Sequence, residues 1–278
     1  MKLYSRIIRR LAGKLPADDA AILIQRLAAK VAPADAAVYE VCRQYVNRYN
    51  SENNDDIQTN GELRFMKERL AGSQLVFDVG ANVGKWAALA LEINPGLRLH
   101  CFEPSKPTFQ KLAANHFPET VTCNNLALGS APGEQTLYVF EEGSGINSLY
   151  ERRGLEDGWN LETQKKKETI QLETLDRYCA QHSITEIDFL KLDVEGHELE
   201  VFRGAKGAVE AGMIKAIQIE YGGCNIDARV LLRDIFEFFQ PYRYSFHKIY
   251  PGEVRRVARY DQRLENFQYQ NWAILRKD

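Results

Sequence analysis

The sequence has almost no net charge, few cysteines and no long apolar run, and each absence excludes a class of protein. Its 278 residues contain 36 lysines and arginines against 38 aspartates and glutamates, so no overall basic field favours nucleic-acid binding. The five cysteines are odd in number and include no Cys-x-x-Cys pair, which disfavours a disulfide framework or a zinc site. No stretch reaches the roughly 18–20 apolar residues of a transmembrane helix. We therefore expect a cytoplasmic protein with no nucleic-acid partner and no membrane span.

Residues 1–60 are predicted to form a helical extension in front of a larger domain, 61–278. Ile and Leu at positions 7, 8, 11 and 15 have amphipathic helical spacing, and further helices are predicted over Ala20–Val31 and Ala36–Tyr49. The polar run from Ser51 to Gly61 is typical of a linker or an exposed loop. This extension is a candidate for pairing two copies of the chain, and contact of its basic first helix with an anionic membrane surface is left open.

The larger domain alternates short apolar strands with helical patterns. This alternation predicts a doubly wound, mostly parallel α/β sheet with helices on both faces. Strands are predicted over Leu75–Val79, Leu97–Phe102, Thr120–Leu128, Ile187–Leu192, Ile214–Glu220 and Gln268–Leu275. A polar and β-rich insertion near 130–172 follows the third strand, next to the point where such sheets reverse direction and bind ligands.

A glycine loop follows the first strand, in the stretch Val76-Phe-Asp-Val-Gly-Ala-Asn-Val-Gly-Lys85. It lacks the glycine spacing of a dinucleotide fingerprint and the Gly-Lys-Ser/Thr of a phosphate-binding loop. Asp78 would repel a pyrophosphate but suits a cationic ligand. Glu103, at the end of the second strand, is placed to accept the ribose hydroxyls of a nucleoside. The two acids together indicate S-adenosylmethionine, and the alternative is a tight turn with a helix-capping acid.

At these motifs the chain resembles the FkbM family of S-adenosylmethionine-dependent methyltransferases, over roughly Leu75 to Tyr221. The matching stretches are Phe77–Gly84, Phe102–Pro104, Asn125–Leu128 and, as the most specific, Asp188-Phe-Leu-Lys-Leu-Asp-Val-Glu-Gly-His-Glu198. The resemblance implies the class I methyltransferase fold with a seven-stranded sheet, and O-methylation of sugar or polyketide hydroxyls.

The resemblance also implies roles for individual residues. The methionine half of the cofactor would lie among Asp78, Gly80, Asn82 and Gly84, the ribose at Glu103, and the adenine beside Asn125 and Ala127. Pro104 and Asp193 are further candidates for cofactor binding. The family's polar loop after the third strand matches Gly143–Leu149, which places Ser144, Asn147 and Ser148 near the acceptor. Glu220 is a further candidate for acceptor binding.

The acidic block also has a chemistry of its own. Lys191 and Asp193 are two residues apart on a strand and therefore share a face. A lysine in an apolar strand needs an acidic partner, for which Asp193 is the first candidate and Glu195 and Glu220 are others. The functional interpretation places Asp193, Glu195 and His197 around the transferred methyl and counts Lys191 with them as catalytic, and a purely structural ion pair is the alternative. His197 is the preferred general base, because an unperturbed imidazole titrates near neutral pH, and Asp193 or Glu195 would orient its ring.

Several readings of the function remain open from the sequence. Asp193, Glu195 and His197 are also an alternative divalent-metal site, although no dedicated ligand cage is evident, and no metal is favoured. The preferred function is S-adenosylmethionine-dependent O-methylation of a hydroxyl on a small molecule or glycan, most simply a sugar. The alternatives are O-methylation of a polyketide or other secondary metabolite, and a catalytically silent S-adenosylmethionine-binding module.

Overall fold

The computed structural model describes residues 16–30, 36–140, 143–153 and 166–277, and it divides the chain into two compact units, 1–50 and 51–278. In the first unit the described elements are the helices α1 (Ala17–Ala28) and α2 (Ala36–Asn50). The predicted helix around residues 7–15 lies outside the described residues. Large apolar side chains of α2, including Tyr39, Tyr45 and Tyr49, are exposed. Pairing of two chains through these helices remains a prediction.

The second unit is built on one large sheet and confirms the predicted fold class. Its strands are β1 (Leu75–Val79), β2 (Arg98–Phe102), β3 (Val121–Asn124), β7 (Ile187–Leu192), β8 (Ile214–Tyr221), β9 (Tyr244–Ile249), β10 (Val254–Val257) and β11 (Gln270–Arg276), numbered with the smaller sheet described below. Their order is β10-β9-β11-β8-β7-β1-β2-β3. β3, β2, β1, β7 and β8 are parallel, and the remaining pairings are antiparallel. The sheet has one strand more than predicted, because β10 pairs with the outer edge of β9.

Helices cover both faces of this sheet and bury two hydrophobic layers. They are α3 (Glu62–Leu70), α4 (Lys85–Ile93), α5 (Lys106–Ala113), α6 (Leu175–Gln181), α7 (Glu198–Gly204), α8 (Lys206–Glu210), α9 (Cys224–Ala228) and α10 (Leu232–Phe239). Helix α3 was not predicted from the sequence. This helix buries Phe65, Met66 and Leu70 in one of the two hydrophobic layers, and the N–H of Glu62 at its start donates to the side chain of Asn60 at 2.8 Å.

The predicted third strand is two strands in the structure. β3 ends at Asn124 in the large sheet, and β4 (Ala127–Leu128) pairs with β6 (Lys166–Glu173) in a small sheet completed by β5 (Gly133–Val139). The turn between them is fixed by Asn125, whose amide donates to the carbonyls of Glu103 and Pro104 at 3.0 and 2.8 Å. The predicted single strand is therefore wrong, and the chain leaves the large sheet at this point.

The segment that follows α2 is part of the second unit. Asn53 N donates to Tyr269 O at 2.9 Å, and Glu52 forms a buried ion pair with Lys248 at 2.9 Å. The structure thus divides the chain at residue 50, ahead of the predicted boundary at residue 60. Among the described helices, none is long and apolar enough to cross a membrane.

Candidate active site

The sheet reverses direction between β1 and β7, and the carboxyl ends of these strands are joined by close backbone contacts. Asp193 N donates to Val79 O at 3.0 Å, and the amides of Gly80 and Ala81 both donate to Phe102 O. Gly80 has φ +81°, and a Cβ there would lie 1.8 Å from the Asp193 carbonyl oxygen. Only glycine fits this turn, because the ends of β1, β2 and β7 approach one another so closely here.

Lys191 is buried on β7, next to the end of β1, and contacts three oxygens. Its Nζ lies 3.1 Å from Asp78 Oδ1, 3.3 Å from Asp193 Oδ2 and 3.2 Å from Gly80 O. Asp78 is completely buried, and burial raises the pKa of its carboxyl while Lys191 opposes that rise. Burial works against the charge of Lys191, yet Asp78 and Asp193 hold its pKa above the ordinary value. This is the geometry of a structural ion pair.

The predicted partners of Lys191 are right in one case out of three. Asp193 contacts the ammonium, whereas Glu195 pairs with Arg152 at 2.8 Å and Glu220 accepts from the Tyr269 hydroxyl at 2.8 Å. Asp78, the buried partner, was not among the predicted ones. Asp78 and Lys191 are register neighbours on β1 and β7, which only the strand order reveals.

A cleft opens above the strand ends and encloses about 680 Å³, part of it open to solvent. Predicted site residues that line it are Gly80, Asn82, Glu103, Pro104, Ala127, Ser144, Asn147, Ser148, Asp193, Glu195 and His197. Five others do not line it: Asp78, Gly84, Asn125, Lys191 and Glu220. Among the described lining residues there are three carboxylates and no lysine or arginine. Two of the three are paired with cations outside the lining, Asp193 with Lys191 and Glu195 with Arg152, so the described lining offers no cation to a phosphate group.

Glu103 is the best-positioned acid of the cleft for a ribose. Its Oε1 and Oε2 accept one backbone N–H each, from Ser105 at 2.9 Å and Asn82 at 3.0 Å. These bonds fix the carboxylate at the end of β2 and leave lone pairs on both oxygens for further hydroxyl donors. Burial raises the pKa of Glu103 to about 7. A hydroxyl-rich ligand that donates to it would favour its charged form.

Two residues assigned to the cofactor support the cleft from outside. At Gly84, with φ +87°, an added Cβ would lie 2.9 Å from Leu112 and 3.0 Å from Phe117, so this glycine allows the loop to pack against α5 and the chain after it. Asn125 has both amide hydrogens committed to the carbonyls of Glu103 and Pro104. Neither residue lines the cleft itself, and their place beside the cofactor stays a prediction.

His197 lies at the start of α7 with a partner that the sequence did not indicate. Its Nδ1 is 2.9 Å from the hydroxyl of Tyr150, while Nε2 is buried without a hydrogen-bond partner. Neither Asp193 nor Glu195 is hydrogen-bonded to the ring, so the predicted orientation by a carboxylate is wrong. Burial lowers the pKa of His197 to about 4, and the imidazole is therefore neutral at pH 7.

Glu195 is fixed by a second residue of the insertion, Arg152. The guanidinium lies 2.8 Å from Glu195 and 3.2 Å from Asp227, and its side chain is only 8% exposed. Burial and the neighbouring Asp193 raise the pKa of Glu195, and Arg152 opposes that rise. Glu195 has φ +53°, so it sits in a left-handed conformation that costs free energy outside glycine.

The insertion forms the outer wall of the cleft. Ser148 Oγ donates to the carbonyl of Glu195 at 2.9 Å, and Asn147 Oδ1 accepts from Phe140 N at 2.9 Å. These two of the four predicted acceptor residues are therefore engaged within the fold. Tyr150 and Arg152 were missed because they lie in a polar stretch with no periodicity, and no signal in the sequence singles them out.

The predicted metal alternative finds no support in the geometry. In the described part of the chain, no three His, Cys, Asp or Glu side chains converge as metal ligands. Glu195 is turned to Arg152 and His197 to Tyr150, so the Asp-x-Glu-x-His spacing does not bring its members to one point.

Comparison with known proteins finds one family model, described as the methyltransferase FkbM domain, which matches residues 78–246. The hexuronic acid methyltransferase AglP of Haloferax volcanii is 26% identical over 174 residues, which are 62% of this chain and 66% of AglP. The 31-O-demethyl-FK506 methyltransferase FkbM of Streptomyces tacrolimicus is 29% identical over 161 residues, 50% of this chain and 62% of that protein. In both cases the match spans less than two thirds of the relative.

Among solved structures, a methyltransferase FkbM from Methylobacillus flagellatus is similar to the chain. It covers 74% of this chain and 44% of its own, with 16% identity and a TM-score of 0.45.

Proposed function

The chain belongs to the FkbM family of methyltransferases, and from that premise we propose that it transfers a methyl group from S-adenosylmethionine to a hydroxyl oxygen of a sugar. The observation that carries the proposal is the cleft at the reversal of the sheet. Its described lining has carboxylates at Glu103, Asp193 and Glu195 and no basic side chain. S-adenosylmethionine has a sulfonium and an ammonium but no phosphate, so it fits a described lining that offers no cation.

Each cleft residue has a role that its contacts allow. Glu103 would accept the two ribose hydroxyls with the lone pairs that Ser105 and Asn82 leave open. Gly80 and Asn82 would face the methionine half, with Asp193 opposite. Pro104 and Ala127 would bound the adenine. Asp78 and Lys191 do not line the cleft; their ion pair would hold the ends of β1 and β7 in register, and Lys191 would also fix Asp193.

The bound cofactor supplies an electrophilic methyl group on sulfur, so the chain has to align the acceptor oxygen, exclude water and receive a proton. His197 is the proposed proton acceptor, because it lines the cleft and is neutral at pH 7. Its low pKa makes it a weak base, so alignment contributes the larger share of the rate enhancement. Glu195 is the second candidate, and its tie to Arg152 makes it less available.

The choice of a sugar as the acceptor is supported by one relative. AglP is named a hexuronic acid methyltransferase, and it aligns with 62% of this chain. The FkbM of Streptomyces tacrolimicus is named for a polyketide, and its similar identity keeps a polyketide hydroxyl as the second candidate.

The test is methyl transfer from isotope-labelled S-adenosylmethionine to a panel of sugars and sugar conjugates, with a macrolide panel alongside. We expect label on a sugar oxygen with the wild-type chain, and a loss of at least about tenfold in kcat with His197→Ala. The exposed Thr136→Ala serves as the control and should retain wild-type turnover. Label on a macrolide alone would contradict the sugar acceptor. Unchanged turnover of the His197 variant would contradict its role.

A further inference from the structure

A second cavity shares His197 with the cofactor cleft. It encloses about 680 Å³, part of it open to solvent. Its lining consists of the turn and strand residues Ser130–Gln135 together with Tyr150, Leu172, His197 and Glu200. Among the described lining residues, His197 is the one that both cavities share.

We infer that this second cavity is the acceptor subsite and that it takes an uncharged, hydroxyl-rich ring. The inference rests on the proposed function and deepens it. It assigns acceptor recognition to residues of β5, α7 and the insertion, in place of Asn147 and Ser148, which the fold already engages.

The cavity is connected to the chemistry through His197. The chain runs from one cavity to the other at Gly129, since Leu128 lines the first and Ser130 the second. A Cβ on Gly129 would lie 3.1 Å from His197 Nε2, so glycine leaves room for the ring at this point. The other ring nitrogen is bonded to Tyr150, which lines the second cavity. A ligand against Tyr150 is thus held beside the proposed proton acceptor.

The polar groups of the cavity suit hydroxyl donors. Glu134, Gln135 and Glu200 offer carboxylate and amide oxygens, and Tyr150 offers an aromatic surface for the apolar face of a sugar ring.

The charges of the cavity disfavour an acid. No lysine or arginine is among its described lining residues. Arg203 compensates Glu200, whereas the described hydrogen-bond partner of Glu134 is an amide, Gln171, at 2.8 Å. The charge of Glu134 would therefore repel a sugar that carries a carboxylate, and it would not repel an otherwise identical neutral sugar.

The test compares two probes that differ in one charge, methyl glucoside and methyl glucuronide, binding to the protein saturated with S-adenosylhomocysteine. Ligand-observed NMR titrations at low salt should give a Kd at least tenfold lower for the glucoside. The ratio of the glucuronide Kd to the glucoside Kd should fall in 0.5 M salt, where the Debye length is only a few ångström. Glu134→Gln should also lower this ratio, whereas Glu119→Gln, at an exposed position outside the cavity, should leave it unchanged.

Occupancy of the cavity is tested by the exposed residue Ala131, which lines it. Ala131→Leu should weaken glucoside binding at least fivefold, and Thr136→Leu on the same small sheet should not. Both variants should bind S-adenosylhomocysteine as the wild type does.

Three results would overturn the inference while the proposed function stands: no binding of either sugar beside bound S-adenosylhomocysteine, a glucuronide Kd equal to or below that of the glucoside, or full binding by Ala131→Leu. If the wild-type chain fails to bind S-adenosylhomocysteine itself, the proposed function fails and this inference with it.

Discussion

Removal of the Lys191 ammonium tests the buried ion pair on which the cleft rests. In Lys191→Met the stem of the side chain is retained, but Asp78, which has no exposed surface, loses its cation. Asp193 also loses a contact, yet its side chain is 31% exposed and water can replace the ammonium there. The cost therefore falls mainly on Asp78. Breaking a buried pair by removing one partner costs about 3–5 kcal/mol.

The protonation of Asp78 sets an independent limit on this cost. A buried carboxyl without a cation can take up a proton, and from an ordinary pKa of about 3.9 this costs about 4 kcal/mol at pH 7 and about 1.5 kcal/mol at pH 5. In the variant, the folded-state pKa of Asp78 is raised above the unfolded value, so the folded state binds the extra proton. The destabilisation must therefore shrink as the pH falls.

Urea unfolding at pH 7 and pH 5 measures both effects. We expect Lys191→Met to lower the free energy of unfolding by about 3–4 kcal/mol at pH 7 and by roughly 2 kcal/mol less at pH 5. Adding Asp78→Asn to the variant should restore most of the loss at pH 7. Lys215→Met is the matched control, because Lys215 is 40% exposed and water can replace its ammonium, so its ion pairs with Glu186 and Asp188 should be worth about 1 kcal/mol or less. A loss below about 1 kcal/mol for Lys191→Met, or one that does not change with pH, would refute the reasoning.

Three further predictions follow from the cleft. Gly80→Ala should destabilise the fold by more than about 2 kcal/mol in thermal unfolding, because its Cβ would lie 1.8 Å from the carbonyl oxygen of Asp193, whereas Gly72→Ala, with open space around its Cβ, should cost little. Glu103→Gln should raise the Kd of S-adenosylhomocysteine about tenfold or more in calorimetry, and an unchanged Kd would remove Glu103 from the ribose site. Because burial lowers the pKa of His197 to about 4 from 6.5, its contribution to stability is present above pH 6.5 and is lost as the pH falls toward 4, by roughly 3 kcal/mol in total. Urea unfolding of His197→Gln should lack this part of the pH dependence, and identical pH profiles would show that the imidazole is not held neutral.

The alternation of apolar strands and helical patterns was enough to predict the parallel sheet, because strands covered on both faces read as short apolar runs. The positions of Glu103 and Asp193 at strand ends followed from the same pattern, and both line the cleft. The third strand was predicted as continuous because its residues have strand character on both sides of Asn125. The break depends on two carbonyls of another segment, which a local pattern does not contain.

The side-chain partners were less predictable because they come from distant parts of the chain. Asp78 and Lys191 meet only because β1 and β7 are neighbours in the sheet. Tyr150 and Arg152 belong to a polar insertion with no periodicity, yet they determine the orientation of His197 and Glu195. The sequence placed acids beside His197, but closeness along the chain at the start of a helix does not imply contact.

Cofactor binding tests the central claim most directly. Isothermal titration calorimetry of the purified chain with S-adenosylmethionine, S-adenosylhomocysteine and NAD separates a cleft for a nucleoside without phosphate from a general nucleotide site. The account predicts micromolar binding of the first two and none of NAD, because the described lining of the cleft has three carboxylates and no basic side chain to meet a pyrophosphate. Binding of NAD as tightly as S-adenosylmethionine, or of neither sulfur compound, would contradict it.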